Sequence, residues 1–266
     1  MDYSKDAILL RLNKEEQVAA LHEQGFTEVT VNTPLSEIAE YIKWVGGLRD
    51  LRIATVKPAD GKVYCFTGEE WSALSANAKS NYEKIGVCIR ARKRMFIIAA
   101  EDCVSENGGT TFKFGLYGTD LKGVKNYAEN SSGMYDITTG LADTQAAVEQ
   151  GAGLTDANGT IGAPAAEAAW NYKASANDTC QWYLPSIAEL RLICEYKNEL
   201  HTFLNKFFAG NGKLVDNWYW SSTEYNSSDS WGVNMSYGYS NLNFRTNAGR
   251  VRPVALVSSL SVSSAD

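Results

Sequence analysis

The stretch covering residues 231–257 constrains the fold more than any other part of the chain. It begins with WGVNMS, which alternates apolar and small polar side chains, as in a strand with one face on a core. YGY then predicts a turn, and the following strand has Leu242 and Phe244 in the inward phase. After the polar TNAG, RVRPVALV returns as a buried strand, so we expect a hairpin that covers a core. The residues that we expect to be buried are Trp220, Trp231, Met235 and Val251.

The outward side of this hairpin and its flanking loops are rich in Tyr, Ser, Asn and Gly. Antibody loops have a similar composition, because Tyr offers rigid contact area while Ser and Asn offer adaptable hydrogen bonds. A hydrophilic hairpin without a ligand fits the composition equally well. We interpret the patch as a contiguous ligand-binding surface in which Tyr225, Tyr237 and Tyr239 are exposed and supply most of the contact area. The predicted site residues are Tyr225, Asn226, Ser227, Ser228, Asp229, Gly232, Asn234, Ser236, Tyr237, Tyr239, Asn241, Asn243, Arg245, Thr246, Asn247 and Ala248.

Composition excludes several classes of function. The chain has 266 residues, of which 44% are hydrophobic, so it can build a sizeable core. A formal net charge of -6 gives no basic surface for nucleic acid. Five cysteines without a CxxC pair predict buried thiols rather than a disulfide framework or a zinc site, and we expect no cofactor and no metal. No secretory signal or membrane-spanning apolar run is evident.

The N-terminal residues predict a small mixed α/β unit. Asn13 and Glu16 form a capping pair before the helix KEEQVAALHEQ, FTEVTV alternates like a strand, and TPLSEIAEYIKWVGG predicts a second helix. Short strands begin after the turn signal that follows Lys57, where we expect a domain boundary. The predicted units are an assembly or oligomerisation unit over residues 1–57, a ligand-binding domain over residues 58–257 and a flexible tail over residues 258–266.

The larger unit mixes strands with capped helices. KVYCFTG, IGVCIRA and RMFIIAAED predict strands, and GLADTQAAVEQ and APAAEAAWNYK predict helices. Thr67 with Glu70 and Ser186 with Glu189 are spaced as capping boxes, each at the start of a helix.

Four motifs, WYLPSIAEL, YWSSTEY, the WGVNM alternation and VRPV, together resemble C-type-lectin-like domains of Bacteroides and phage proteins. More narrowly, they are similar to the variable proteins of diversity-generating retroelements. The resemblance covers residues 134–257. It implies an α+β fold, with a C-type-lectin-like domain at the C-terminus and the small mixed α/β unit before it.

The resemblance also implies a source of sequence variation. In this family a reverse transcriptase introduces errors at template adenines, so AAC codons for Asn change while codons without adenine stay fixed. Trp231 and Met235 cannot arise from AAC, and both lie at inward positions. The residues that can arise from AAC are Asn226 to Asp229, Gly232, Ser236, Tyr237, Tyr239, Asn241 to Phe244 and Thr246 to Gly249.

Enzymatic alternatives have weaker support. Formylglycine-generating oxidases share the fold superclass and use a cysteine pair, for which only Cys180 and Cys194 are available in this half. His22 and His201 lie in separate predicted helices, so they do not form an evident catalytic dyad. The spacing of the acidic side chains does not distinguish them from solvated surface charges. No calcium-binding lectin signature is present. The carboxylates considered are Asp216, Glu224 and Asp229.

The sequence therefore predicts a non-enzymatic binding protein with a diversified surface. The expected partner is a protein or glycan receptor on a host-cell surface, with neither nucleic-acid binding nor membrane insertion. A phage virion protein at the tail tip is the preferred setting. A bacterial surface adhesin, exported by an unknown route, is the alternative, and an oxidase is less favoured. By analogy with the family, residues 1–57 would mediate homo-oligomerisation.

Overall fold

The computed structural model describes residues 13–23, 29–35, 38–39, 50–91, 94–128, 139–209 and 212–257. These residues combine α-helices with antiparallel strands. The helices are α1 (Lys14–Glu23), α2 (Gly68–Ala73), α3 (Ala76–Lys79), α4 (Gly140–Gly151), α5 (Pro164–Trp170), α6 (Ile187–Glu195) and α7 (Lys197–Phe207). The strands are β1 (Asp50–Lys57), β2 (Lys62–Phe66), β3 (Glu83–Ala91), β4 (Arg94–Ala99), β5 (Phe112–Lys113), β6 (Trp182–Tyr183), β7 (Trp218–Glu224), β8 (Asp229–Asn234), β9 (Ser240–Phe244), β10 (Ala248–Gly249) and β11 (Val254–Leu256).

Six strands form a large antiparallel sheet in the order β2-β1-β3-β4-β11-β6. The strand β11 lies between β4 and β6, so the VRPVALV segment joins the sheet built from the first half of the chain. Its burial agrees with its apolar sequence, because a central strand is covered on both faces.

The sheet does not begin where the sequence predicted a boundary. Residues 50–57 form β1, which pairs with both β2 and β3, and Lys57 pairs with Lys62 across a turn. A boundary at Lys57 would divide this hairpin, so the predicted limits of 1–57 and 58–257 are wrong. The turn signal was correct, but it joins two strands of one sheet rather than two domains.

A small sheet of three antiparallel strands, in the order β7-β8-β9, carries the hairpin predicted from WGVNMS. Its inward face packs with α6, α7 and the large sheet in one apolar cluster, to which Trp231, Val233 and Met235 belong. Trp220 and Val251 are buried in a neighbouring cluster. The predicted burial of Trp220, Trp231, Met235 and Val251 is therefore confirmed.

Hydrogen bonds at helix starts confirm the predicted caps. Ser186 and Glu189 make a reciprocal capping box at α6, and Thr67 and Glu70 make another at α2. Pro164 is in the first turn of α5. The α6 cap has a further partner, because the Ile187 amide donates to Thr223 Oγ1 at 3.0 Å. This bond fixes the start of α6 to β7 of the small sheet.

The N-terminal predictions agree with the structure in part. The Asn13 and Glu16 capping pair is present at α1. Residues 29–31 of the predicted strand FTEVTV are not in a strand, and the rest of that segment lies outside the described residues. Residues 35, 38 and 39 of the second predicted helix are helical. The predicted tail, residues 258–266, also lies outside the described residues.

Candidate ligand-binding surface

Three aromatic side chains form a continuous group at the β8–β9 turn. Tyr237 and Tyr239 are stacked, with ring centroids 5.9 Å apart and an interplanar angle of 19°. Trp218 packs against Tyr239 edge to face, with centroids 5.6 Å apart. Tyr237 is 77% exposed and Tyr239 is 48% exposed, so their predicted exposure is confirmed. We call Trp218, Tyr237 and Tyr239 the aromatic patch.

Backbone hydrogen bonds hold the turn that carries this patch. Gly238 has φ of +76°, a conformation that favours glycine, and its amide donates to the Asn234 carbonyl at 2.8 Å. The Asn234 side chain accepts from the Ser236 amide at 2.9 Å. The Met235 amide donates to the Asn217 carbonyl at 3.0 Å, which joins the turn to the start of β7. The exposed rings therefore extend from an ordered support.

Trp218 was missed in the sequence analysis, and it explains one error there. A Cβ atom on Gly232 would lie 3.6 Å from the Trp218 ring and 2.9 Å from the Tyr219 carbonyl oxygen, so Gly232 is covered. Gly232 and Asn234 are both buried, because β8 is the central strand. Their predicted exposure is wrong. The alternation in WYW could not have identified Trp218, because it puts this residue in phase with Trp220, which is buried.

The other predicted residues lie at the opposite end of the small sheet. The β7–β8 turn contains Tyr225 to Asp229, all half-buried, and residues 246–248 follow β9 at the same end. Tyr225 packs edge to face on Trp231, with centroids 6.2 Å apart, so it is less exposed than predicted. Because antiparallel strands place consecutive turns at opposite ends, the site residues form two groups rather than one contiguous patch.

Arg245 does not face outward as predicted. Its side chain is fully buried and forms an ion pair with Glu224, which is also fully buried. The guanidinium also donates to the carbonyl oxygens of Asn226 at 2.6 Å and Thr119 at 2.9 Å. Its Cζ atom lies over the Phe114 ring, 5.0 Å from the ring centroid. Arg245 is therefore an internal connection between loops and not a ligand contact.

Burial dominates the electrostatics of this ion pair. It raises the pKa of the Glu224 carboxyl to about 7, although the positive charge of Arg245 acts in the opposite direction. It also lowers the pKa of the Arg245 guanidinium. One carboxylate oxygen of Glu224, Oε2, has no hydrogen-bond partner among the described residues. The raised pKa of Glu224 and the lowered pKa of Arg245 are both expected when a pair of charges is fully removed from water.

The strand β9 connects the two groups along the edge of the small sheet. Asn241 is exposed and Asn243 is half-buried, consistent with the predicted outward phase. Leu242 packs against the main core, as expected. Phe244 is on the same face as the inward Leu242, but it is 56% exposed, so its predicted place in the core is wrong. It lies at the last position of β9, where the inward face extends beyond the core.

The enzymatic alternatives gain no geometric support. Cys180 packs on one face of the large sheet and Cys194 packs in the main core, so they belong to different clusters. Burial raises the pKa of the Cys180 thiol to about 12 and also raises that of Cys194, which disfavours the reactive thiolate. His201 accepts a hydrogen bond from the Leu214 amide at 3.0 Å, and burial lowers its pKa. His22 contacts the Val29 carbonyl.

The described residues also offer no metal site of three or more ligands and no membrane-spanning helix. They contain no cluster of three or more His, Cys, Asp or Glu side chains that could hold a metal ion. They also contain no helix with the length and apolar character needed to cross a bilayer. Of the carboxylates considered for catalysis, Glu224 is in the internal ion pair and Asp216 lies 3.2 Å from Lys197.

The fold and surface define a domain of mixed helices and antiparallel strands that presents side chains at both ends of a small sheet. Residues 132–255 match the family model of the Lcl C-terminal domain. This match confirms, over that segment, the resemblance to the variable proteins of diversity-generating retroelements, and the family is one of non-catalytic ligand-binding domains. No curated protein matches the chain.

Proposed function

We propose that this chain is a non-enzymatic receptor-binding protein with a C-type-lectin-like domain, and that the aromatic patch is its principal ligand contact. The observation that carries the proposal is the pair of exposed, stacked rings, Tyr237 and Tyr239, on a turn anchored by a buried Trp and Met scaffold. Exposed aromatic residues on rigid supports supply much of the binding energy in protein recognition.

The positions that can vary and the positions that stabilise the fold are different residues in this arrangement. Tyr237 and Tyr239 are among the residues that an AAC template codon can produce, while Trp231 and Met235 are not. Substitutions at exposed turn positions usually change stability little, whereas those in a core change it greatly. The surface can therefore change its ligand specificity while the hairpin beneath it stays folded.

A cell-binding measurement tests the role of the patch. The fluorescently labelled chain is applied to a panel of intact bacterial strains, and bound protein is measured by flow cytometry. Replacing Tyr237 and Tyr239 with Ala should weaken binding to any strain that binds the parent by at least about tenfold, because aromatic anchors typically contribute about 2 kcal/mol each. Val104→Ala is the matched control, since Val104 is 62% exposed outside the patch.

Equal binding by the double variant and the parent would contradict the role of the aromatic patch. Loss of binding in the Val104→Ala control as well would also contradict this role, because the loss would then not be specific to the aromatic patch. A strain that binds the parent but not the double variant would also provide the cell for identifying the receptor, whether protein or glycan.

We place the protein at a phage tail tip, with a bacterial surface adhesin as the second setting. The surface described above fits both, and the flanking DNA distinguishes them. A near-copy of the coding segment for residues 219–257, differing mainly at adenines and beside a reverse transcriptase gene, would support diversification. Phage structural genes on either side would support the virion, and their absence together with an export system would favour the adhesin.

A further inference from the structure

We propose that Cys65 and Cys88, on one face of the large sheet, form a two-coordinate site for copper(I). This inference goes beyond the proposed function, because the apolar cluster that holds both cysteines includes no residue of the small sheet. The two cysteines belong to different strands and have no CxxC spacing, so the sequence predicted no metal at this position. The fold brings the two thiols together.

The register of the large sheet puts Cys65 and Cys88 on the same face. Cys65 on β2 pairs with Ala54 on β1, and Cys88 on β3 pairs with Arg52 on β1. Ala54 and Arg52 are two residues apart on one strand, so their side chains and those of their partners point to the same side. Both cysteines accordingly pack in one apolar cluster. The two thiols therefore flank β1 from its two sides.

The two thiols are in contact but are not placed for a disulfide. A side-chain hydrogen bond joins Cys65 and Cys88 across β1, where Ala54 has a small side chain. Neighbouring strands lie about 4.8 Å apart, so the Cα atoms of β2 and β3 are roughly 10 Å apart, whereas a disulfide needs less than about 7 Å. The two sulfur atoms can therefore share a proton or an ion without moving the backbone, but they cannot form a covalent bond.

Two neighbouring thiols without further ligands suit copper(I). Soft thiolate ligands select copper(I), and this d10 ion is stable with two of them in a linear arrangement. A structural zinc site has four ligands, and the described residues hold no group of three or more His, Cys, Asp or Glu side chains that could bind a metal. Calcium and magnesium prefer oxygen ligands. Copper(I) is therefore the ion that this pair of ligands fits best.

Positive charges beside the thiols favour the complex. Binding replaces the two thiol protons with one copper(I) ion, so two protons leave and the site carries one negative charge. Arg52 and Arg90 are on the same face as the thiols, and their side chains are only 7% and 3% exposed. Asp50 pairs with Arg52 at 2.6 Å and lies 3.9 Å from Arg90, so it offsets part of their charge. Burial strengthens the attraction between the two arginines and a negatively charged site.

Cys65 is the more acidic and the more accessible of the two thiols. The hydrogen bond from Cys88 lowers the pKa of the Cys65 thiol, with Arg52 and Arg90 acting in the same direction and burial acting against them. The same hydrogen bond, together with burial, raises the pKa of the Cys88 thiol. Cys65 is half-buried on the edge strand β2, whereas Cys88 is fully buried. Copper(I) therefore binds Cys65 first, because the thiolate is the ligand, and then displaces the proton of Cys88.

A chelator competition tests the site in the full chain. The reduced chain is titrated under argon into the coloured copper(I) complex of bicinchoninate, and loss of colour measures the copper transferred. We expect the parent to withdraw one copper(I) ion per chain. Cys65→Ser and Cys88→Ala should each lower the apparent affinity for copper(I) by at least about 100-fold, since losing a ligand should cost more than the roughly 10–100-fold typical of an outer-shell change.

Two cysteine variants serve as controls. Cys180→Ser is the matched control, because its thiol packs in the same cluster without belonging to the pair. Cys194→Ser removes a thiol that packs in the main core. Both variants should keep the copper(I) affinity of the parent. Cys65→Ser should also keep the melting temperature of the copper-free parent within a few degrees, since Cys65 is half-buried on an edge strand, so it tests the site independently of any effect of Cys88→Ala on folding.

X-ray absorption at the copper edge gives the number of ligands directly. The loaded parent should show two sulfur neighbours around copper(I). A parent that withdraws no copper from bicinchoninate would overturn the proposal, as would full copper(I) affinity in Cys65→Ser. Three sulfur neighbours, or an equal loss of affinity in Cys180→Ser or Cys194→Ser, would also overturn it, because copper would then be held by thiols other than this pair.

Discussion

The two ends of the small sheet present similar residue types but are held in different ways. At the β8–β9 turn, local backbone hydrogen bonds hold Tyr237 and Tyr239, and the rings extend into solvent. At the other end, Arg245 is buried and links the β7–β8 turn to a loop from a distant part of the chain. The first end is held by hydrogen bonds within the small sheet and by Lys197 of α7, which donates to the Met235 carbonyl, whereas the second is held by a buried ion pair.

This difference has a consequence for diversification. Tyr237 and Tyr239 can change with little effect on neighbouring elements, because their rings contact each other and Trp218, whereas Gly238 is required by its φ of +76°. Ser228 can also change, since Arg245 contacts its carbonyl group and not its side chain. The Asn226 side chain, in contrast, accepts from the Ser228 and Asp229 amides at 2.7 and 2.8 Å and holds the turn. Arg245 itself must remain, because its side chain joins the β7–β8 turn to a loop from a distant part of the chain.

The largest expected effect is on the scaffold common to both ends. Trp231→Ala should lower the free energy of unfolding by about 3–5 kcal/mol, since it leaves a cavity in the main core and removes the indole hydrogen bond to Tyr127. Urea denaturation followed by circular dichroism measures this change. Trp218→Ala is the matched control, because Trp218 is half-exposed and should cost clearly less. An unchanged midpoint for Trp231→Ala would mean that the strand register is wrong.

Removing the internal cation should have the next largest effect. Arg245→Met leaves Glu224 buried without its partner and frees the carbonyls of Thr119 and Asn226, so it should cost about 3 kcal/mol. Glu224 can relieve part of this cost by taking up a proton. The double variant Arg245→Met, Glu224→Gln should recover part of the stability, as measured by a double-mutant cycle. Additive losses would show that the two side chains do not interact.

Particular residues show how far the sequence alone could lead. The burial of Trp231 and Met235 followed from alternation, and the α6 cap followed from the spacing of Ser186 and Glu189, because both signals are local. The burial of Gly232 depends on Trp218 from a neighbouring strand, which no periodicity within β8 reveals. Interaction between distant residues is the common feature of the errors.

Arg245 is the clearest error of this type. It follows an outward-phase pattern on β9, and a charged residue at a strand end is usually exposed. Its partner Glu224 lies 21 positions earlier, and the Thr119 carbonyl that accepts from it lies 126 positions earlier. The boundary at Lys57 failed for a related reason, since a turn signal cannot tell whether the strands on its two sides belong to one sheet.

The pH dependence of stability tests the buried ion pair at the end of the small sheet that carries the β7–β8 turn. The pKa of Glu224 is raised by burial from 4.5 to about 7 in the folded protein, so the folded state binds this proton more tightly than the unfolded state. Its contribution to stability is full below about pH 4.5 and is lost as the pH rises through about 7. Glu224→Gln should remove this part of the slope in denaturation midpoints. Burial raises the pKa of Asp143 to about 6, which gives a slope of the same sign in the parent and in the Glu224→Gln variant. Only the difference in slope between these two proteins therefore reports on Glu224.

The smallest expected effect is at the aromatic patch, where the proposed function requires side chains that bind without supporting the fold. Tyr237→Ala with Tyr239→Ala should change the free energy of unfolding by less than about 1 kcal/mol in total, because exposed positions usually contribute about 0.5 kcal/mol or less. Differential scanning calorimetry should therefore give a melting temperature within about 4 °C of the parent. Tyr219→Phe is the contrasting variant, since the buried Tyr219 hydroxyl donates to Asp102 at 2.8 Å and accepts from the Val215 amide at 3.0 Å. Removing that hydroxyl should cost more than removing both exposed rings, because it takes the acceptor from the Val215 amide and a donor from Asp102, which keeps Arg250 and Arg252. If the double variant is the less stable of the two, Tyr237 and Tyr239 are structural residues, and the hairpin turn cannot vary independently of the fold.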